Sequence, residues 1–378
     1  MTKSLSDPSN QQTCDLTVKK TVDLMVVGGG TAGMAAAICA ALQGLKVTVF
    51  DASGEDFDKP CGEGLMPPAV LALNALGVSI SESATFRGIV YVSPSGKKAE
   101  ALFANNQSGL GVRRRVLRQA LWTRARQLGV EIIDRRVTAI DESKDRVAIE
   151  GHEAPWVCLA TGSRDGLLKT LGLHDKRTKK NRPSRTGLRR HVKIKPWSDF
   201  VEVYWSDDAE LYVTPVGPEL VNVAILSWKP IVFDEALKFF PEVAARLQGL
   251  VWDDSVSGVS PLAHRGRALL RGRIFLAGDA AGFLDAMTGE GNSLAMLSGI
   301  AVANSISAKC PSRYRIKWLK IVLAYWLITS VALKLSQPGK LRMIYLDVVI
   351  RFPIILRAGL KLLSRTAKPI QLTADLFS

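Results

Sequence analysis

An α/β fold is predicted by three features of the sequence. A β-branched run, Val22-Asp23-Leu24-Met25-Val26-Val27, ends in glycines and leads into the alanine-rich stretch Ala32 to Gly44, and a second short run, Lys46 to Phe50, ends at Asp51. A late run, Ile274 to Ala277, again enters a glycine-rich turn, and from Lys309 onward the pattern is helical, apolar and basic. The first feature is a strand, a tight turn, a helix and a second strand within about thirty residues, the size of one βαβ unit. The predicted architecture is therefore a Rossmann-like domain assembled from separate chain segments, with an inserted β-sheet domain and a helical C-terminal extension.

The intervening elements follow from local pattern. Val70 to Leu76 reads as helix. Phe86 to Phe103 alternates around Pro94-Ser95-Gly96 and predicts a hairpin. Arg114 to Leu128 is a helix closed by Gly129, and Val130 to Ala160 holds three or four short strands. Val201 to Trp228 gives further strands, with turns at Ser206-Asp207-Asp208 and Gly217-Pro218, and a helix is expected over Asn292 to Ile306. The resulting division is a disordered leader (1–20), a nucleotide-binding domain (21–81, 108–166 and 262–308), a substrate domain (82–107 and 167–261) and a basic helical region (309–378).

At 378 residues and 47% apolar composition the chain can bury a substantial core. Its net charge of +15 is concentrated in two places. Lys176 to Lys195 holds ten basic residues and no acid, and Lys309 to Lys368 holds thirteen with Asp347 the one acid, so the remainder is mildly acidic. The first stretch reads as an interdomain loop. No recognition motif accompanies either stretch, so nucleic acid is not an expected partner. Five cysteines without a CxxC pair point to a reducing, cytoplasmic setting. The longest apolar run, Ile321 to Leu333, is thirteen residues, short of the 18 or more expected of a membrane span.

Gly28-Gly29-Gly30-Thr31-Ala32-Gly33 fits GxGxxG. Glycines at 28, 30 and 33 permit the tight turn, the approach of a pyrophosphate to backbone amides, and close packing of helix on strand. Asp51, about twenty residues further on at the end of the second strand, is placed to accept ribose hydroxyls.

The late turn, Ile274-Phe275-Leu276-Ala277-Gly278-Asp279-Ala280-Ala281-Gly282, resembles the Gly-Asp motif of FAD-dependent oxidoreductases of the p-hydroxybenzoate hydroxylase and geranylgeranyl reductase superfamily. The resemblance implies FAD as cofactor, with Gly278 and Asp279 at its ribityl chain. Gly289, Glu290 and Gly291 then open a helix whose N-terminus favours negative charge on a reduced ring. Ala160-Thr161-Gly162 is similar to the family's ATG turn, Asp165-Gly166 to its internal Asp-Gly motif, and Arg114 to its FAD-contacting arginine, with Arg113 a competitor. The similarity spans roughly residues 20 to 308. A single GxGxxG disfavours a separate NADPH-binding domain of the glutathione reductase kind.

Within the superfamily the signals divide. Gly282 stands where many aromatic hydroxylases carry His, and Thr288-Gly289-Glu290-Gly291 looks more like the reductases, although Ala286 replaces their usual Pro. Cys61-Gly62-Glu63-Gly64 resembles the reductase segment that sets a cysteine beside the flavin, whereas Glu210 to Pro215 keeps only the proline and one aromatic of their pocket motif. The function implied is an FAD-dependent oxidoreductase. An NAD(P)H-dependent monooxygenase acting on a small hydrophobic or aromatic substrate comes first, a reductase of isoprenoid or polyene double bonds is the alternative, and a non-catalytic flavin-binding protein is a third reading. Cys61 and Glu63 are the candidate catalytic residues; the plainer alternatives are a small side chain packed beneath the ring and a loop carboxylate. The histidines, His152, His174, His191 and His264, lack metal-ligand spacing, so no metal site is expected; His191, beside Arg189 and Arg190, reads as a solvated strand residue before a group that orients a substrate hydroxyl or carboxylate. No hydrolase nucleophile motif is present. Arg357, Lys361, Arg365 and Lys368 recur at helical spacing opposite leucine and isoleucine, which fits either a capping helix or contact with an anionic membrane at its inner face.

Overall fold

The computed structural model describes residues 20–163, 166–173, 185–260, 262–265 and 268–364. Its organising element is a six-stranded sheet in the order 270–271, 274–276, 156–159, 24–27, 47–51 and 131–134. All neighbours are parallel except the edge pair Leu270–Arg271 and Ile274–Leu276. The first strand, Leu24–Val27, lies centrally and entirely buried, as its unbroken apolar run requires. The chain runs outward from it on one side through 47–51 and returns on the other through 156–159. Chain order therefore reverses beside the carboxyl end of Leu24–Val27, the place where such sheets open a ligand crevice.

Helix α1 (Thr31–Leu42) leaves that crevice buried through its first ten residues. Helix α2 (Pro67–Leu76) starts on two prolines, which suit the first turn because they lack only amides that would be unbonded there. Helix α3 (Arg114–Gln127) follows, and Gly129 takes the left-handed conformation that stops it. Helix α4 (Gly291–Ser307) packs along α1. Both α1 and α4 are apolar on nearly every side, which suits helices enclosed by a core. Their contact is backbone against backbone: a methyl group at Gly299 would stand 2.2 Å from the Ala32 carbonyl oxygen.

A second sheet of seven strands runs in the order 257–259, 186–192, 220–227, 209–217, 201–205, 88–92 and 98–102. It is antiparallel apart from the pairing of 201–205 with 88–92. Thr186–Val192 corrects the sequence expectation of a basic loop over Lys176 to Lys195. This segment is an internal strand bonded on both sides, with Arg189 and His191 buried because each finds acidic partners across the domain boundary. Residues 174–184 of that stretch lie outside the described residues, as does most of the predicted leader.

The C-terminal region forms α5 (Arg313–Leu335), α6 (Lys340–Arg351) and α7 (Ile354–Ser364). Helix α5 is longer than the apolar run within it, because the cations flanking the run lie within the helix rather than ending it, and by length and composition alone it reaches the size of a membrane span. Helices α5 and α6 are fastened to the body by buried polar contacts. The Tyr314 hydroxyl donates to the Leu276 carbonyl, and the Tyr325 hydroxyl accepts from the Asp285 amide at 2.9 Å and donates to the Asp285 carbonyl at 2.8 Å. On α6, Arg342 is paired with Glu210 at 2.7 Å, and Glu210 also pairs with Arg185, which reaches Asp285 at 2.8 Å. All four charged side chains are buried, so each is viable only with the others.

In an open helix Gly→Ala stabilises by about 1 kcal/mol. At Gly299 the sign should reverse: we expect Gly299→Ala to destabilise by about 2 kcal/mol, because the methyl group meets fixed backbone of α1. Urea denaturation measures this, and an unchanged or raised midpoint would show that α1 and α4 can part without penalty.

Candidate active site

The crevice at the end of Leu24–Val27 continues as one cleft of about 890 Å³. Its wall at the sheet end is built from the glycine loop. Gly28 holds φ at +105°, and a methyl group there would lie 2.5 Å from the Ala160 carbonyl oxygen. At Gly33 it would lie 1.9 Å from the Gly28 carbonyl oxygen, so this glycine serves helix packing and does not line the cleft. Gly30 differs, for nothing lies within 4 Å of the side-chain position. It is the N-terminal boundary residue of α1, with no side-chain cap on the first amides. The first amides of α1, which have no intrahelical acceptor, thus face open space at Gly30, a geometry suited to phosphate.

Asp51 lines the same wall with its carboxylate largely engaged. It accepts from the Gly29 amide at 2.6 Å, the Ser53 amide at 2.9 Å and Arg118 at 2.6 Å. Arg118 also lines the cleft and stacks on Trp122, whose indole N–H donates to the Gly29 carbonyl at 2.9 Å. The sequence reading missed Arg118, although it stands one helical turn beyond Arg114 on the same face of α3. Arg114 lines the cleft, while Arg113 turns away to Asp253 at 2.6 Å. The Arg114 guanidinium donates to the side-chain oxygen of Asn292 at 2.5 Å, and the Asn292 amide reaches the Cys61 sulfur at 3.6 Å. Asn292, also unforeseen, therefore joins α3, α4 and the cysteine loop at one point.

Gly162, Gly278, Asp279, Gly289 and Gly291 line the same cleft. Gly278 has φ of +60°, and a methyl group there would come within 2.8 Å of Ala32, so the Gly-Asp turn rests directly on α1. Asp279 is ion-paired with Lys59 at 2.6 Å. Burial alone would raise its carboxyl, but Lys59 and Arg114 outweigh that and hold it below the usual carboxylate range. Glu290 does not line the cleft. It is buried at the start of α4, its Oε1 lacks a hydrogen-bond partner among the described residues, and burial pushes its carboxyl up to about 8. It is therefore protonated at neutral pH and leaves the positive end of the α4 dipole uncancelled. Asp165 lies outside the described residues.

Cys61 and Glu63 both belong to the cleft wall, with different surroundings. The Cys61 sulfur accepts from the Glu63 amide at 3.3 Å, and its carbonyl accepts from Asn222 of the second sheet at 2.9 Å. Glu63 has φ of +60°, which is uncommon for a residue with a side chain, and its carboxylate is wholly covered. One oxygen accepts from the Arg114 amide at 2.8 Å, and the other lies 2.5 Å from His191 Nε2. His191 Nδ1 is 2.7 Å from Asp254, whose carboxyl the His191 amide and ring hold below its ordinary range against the opposing effect of burial. His191, fully buried, is thus a bridge between carboxylates rather than a solvated strand residue.

Beyond these polar groups the cleft becomes apolar. Phe86, Ile89, Tyr91 and Val203 line its middle, and Leu327, Val331, Ile355 and Leu356 from α5 and α7 line its far end. Among the described residues no cluster of His, Cys, Asp or Glu is arranged to hold a metal ion.

A glycine loop opening onto uncapped amides, facing an Asp-bearing turn with an apolar chamber beyond, is the site of a dinucleotide-dependent redox enzyme. Comparisons with known proteins agree. Residues 22–201 match the family model described as pyridine nucleotide-disulphide oxidoreductase. A menaquinone reductase of Mycobacterium tuberculosis is 26% identical over 325 residues, 78% of each chain. The digeranylgeranylglycerophospholipid reductase of Methanococcus vannielii is 24% identical over 332 residues, covering 80% of this chain and 83% of that protein. A flavoprotein/dehydrogenase of Cytophaga hutchinsonii shares the fold, with a TM-score of 0.77 over 91% of this chain and 92% of the other at 19% identity. The protein is an FAD-dependent oxidoreductase. Its sequence is similar to reductases of the geranylgeranyl reductase kind, and its fold is that of flavoproteins.

The sign of the Glu290 effect on stability is testable. Its carboxyl is raised in the folded state, so the unfolded chain binds fewer protons between about pH 4.5 and 8, and stability falls as pH rises through that window. Glu290→Gln is therefore expected to be nearly neutral at pH 5 and to stabilise by about 2–5 kcal/mol at pH 8.5. Paired thermal or urea melts at the two pH values measure the difference, and an equal effect at both would mean that Glu290 is ionised in the folded protein.

Proposed function

We propose that the protein uses FAD, reduced by NAD(P)H, to reduce a carbon–carbon double bond in a lipid-like molecule held in the apolar part of the cleft. The observation that carries this reading is the continuity of the cleft from the glycine loop and Asp279 to Leu327 and Ile355, with polar side chains gathered at one end. Such a division suits a large cofactor and a long apolar substrate sharing one space. Relatives named as reductases of menaquinone and of a phospholipid support the choice of reduction over oxygenation.

In this reading the Gly28–Gly30 loop and the start of α1 hold the pyrophosphate. Asp51 and Arg118 face the adenosine side, Asp279 accepts ribityl hydroxyls, and Arg114 with Asn292 fixes the cysteine loop beside the ring. When bound, FAD supplies hydride chemistry that amino-acid side chains lack. Protonated Glu290 keeps the α4 N-terminus positive toward the reduced ring. Apolar walls exclude water around the reacting carbons. Cys61 and Glu63 are the polar groups of this chain proposed next to the reaction.

Oxygen-dependent hydroxylation of a ring-containing substrate is the second reading, favoured by the aromatic side chains Phe86, Tyr91 and Tyr212 in the middle of the cleft. Anaerobic and aerobic turnover with NADPH, using polyprenyl and aromatic compounds, separates the two. Reduction predicts product heavier by two hydrogens with or without oxygen. A product that gains one oxygen atom, formed only in air, would overturn it.

The cofactor assignment has its own test. Asp279→Ala should lower FAD occupancy after gel filtration at least tenfold in binding constant, because the turn loses its sugar acceptor and Lys59 its counter-charge. Unchanged flavin absorbance per chain would remove Asp279 from the cofactor site.

A further inference from the structure

We propose that the outer face of α5, α6 and α7 docks on an anionic lipid bilayer, and that the apolar end of the cleft opens within that face, so that substrate enters sideways from the membrane. The portal rests on the lipid-substrate reading above; the docking face rests on the surface itself.

Exposed large apolar side chains on soluble proteins are normally scattered. Here, of the nineteen among the described residues, thirteen fall between Ile316 and Leu362. On α5 they recur as Ile316, Leu319, Leu323, Leu327 and Val331, at intervals of three and four that trace one helical face. The opposite face, with Tyr314, Trp318, Val322, Tyr325 and Thr329, is buried against the body. An α5 that crossed a bilayer would have to surrender the hydroxyl bonds of Tyr314 and Tyr325. Lying in the plane of the interface keeps them and immerses only the free face.

Two features select the occupant. Between Lys309 and Lys361 the described chain carries eleven basic residues against Asp347, and of these only Arg342 is buried. A second copy of the chain would bring like charges together, whereas an anionic bilayer complements them, at roughly 1 kcal/mol per cation near the surface. Moreover Leu327, Val331 and Ile355 each line the cleft and are 59%, 57% and 45% exposed, and Leu327 and Val331 continue the helical face that carries Leu319 and Leu323. The same side chains are the rim of the chamber and the floor that meets the lipid, so an apolar molecule passing between them need not cross water.

The test uses the full-length protein with FAD bound, mixed with vesicles of phosphatidylcholine alone or with phosphatidylglycerol. We expect co-sedimentation with the anionic vesicles at least tenfold tighter than with the neutral ones, and quenching of Trp326 by lipids brominated on the acyl chain that Trp326→Phe removes. The pair Leu319→Glu and Leu323→Glu alters exposed positions outside the cleft. It should lower vesicle affinity at least tenfold with FAD occupancy unchanged. Wild-type protein left in the supernatant with anionic vesicles, or equal binding by the double variant, would overturn the proposal. So would a dimer that the double variant dissociates while vesicle binding persists, for then the face belongs to a second copy. None of these readouts needs turnover, so a failure of the double-bond reading leaves them intact, and a failure here leaves that reading standing.

Discussion

The backbone contact between α1 and α4 is the constraint from which the active site follows. Gly299 lets α4 approach until a methyl group would strike the Ala32 carbonyl, and Gly278 lets the Asp-bearing turn sit on the side chain of the same Ala32. The glycine loop is thereby brought together with two segments more than two hundred residues further along the chain, the Gly-Asp turn and the start of α4. The Asp279–Lys59 ion pair adds a tie to the cysteine loop, but the approach of the helices themselves is set by small residues. The dipoles of α1 and α4 both begin at this junction, so the sheet end of the cleft is electropositive without requiring a cation at each point.

Side-chain charge is handled differently at the junction of the two sheets. Glu63, His191, Asp254, Arg189 and Asp58 interlock there, and Arg185, Glu210, Asp285 and Arg342 do so beneath the C-terminal helices. Buried ions of this kind add little net stability, since desolvation offsets most of their attraction. What they provide is geometry. The second sheet, the cysteine loop and α6 can meet in one arrangement only, because any other leaves a charge buried and unpaired. The cleft, lined by all three, inherits that definition.

Much of this was legible in sequence because the signals are local. The βαβ unit, the hairpin at Gly96 and the stop at Gly129 each lie within a few residues of the feature that announces them. Gly28 was readable because a turn of that kind constrains residue type, while Asp279 and Arg114 were singled out by the resemblance of their segments to a family, and all three line the cleft. Asn292 and Arg118 were not, since nothing near them in sequence says that an amide or a guanidinium is needed there; the need arises only when α3 and α4 meet. The strand 186–192 was misread for a related reason. Its arginines and histidine look solvated until Glu63, Asp58 and Asp254, from distant segments, arrive as partners. Helix α5 was underestimated because counting an unbroken apolar run ignores that lysines bordering the run can remain on the helix while projecting to solvent.

The pairing of Arg342 with Glu210 also bears on how the chain is made. Glu210 sits in the middle of the second sheet, fully covered, and its partner on α6 leaves the ribosome well over a hundred residues later. Until then Glu210 has Arg185 alone, and the strand Ile274–Leu276 waits likewise for the hydroxyl of Tyr314. The floor of the substrate chamber is therefore completed only by helices that follow both sheets along the chain.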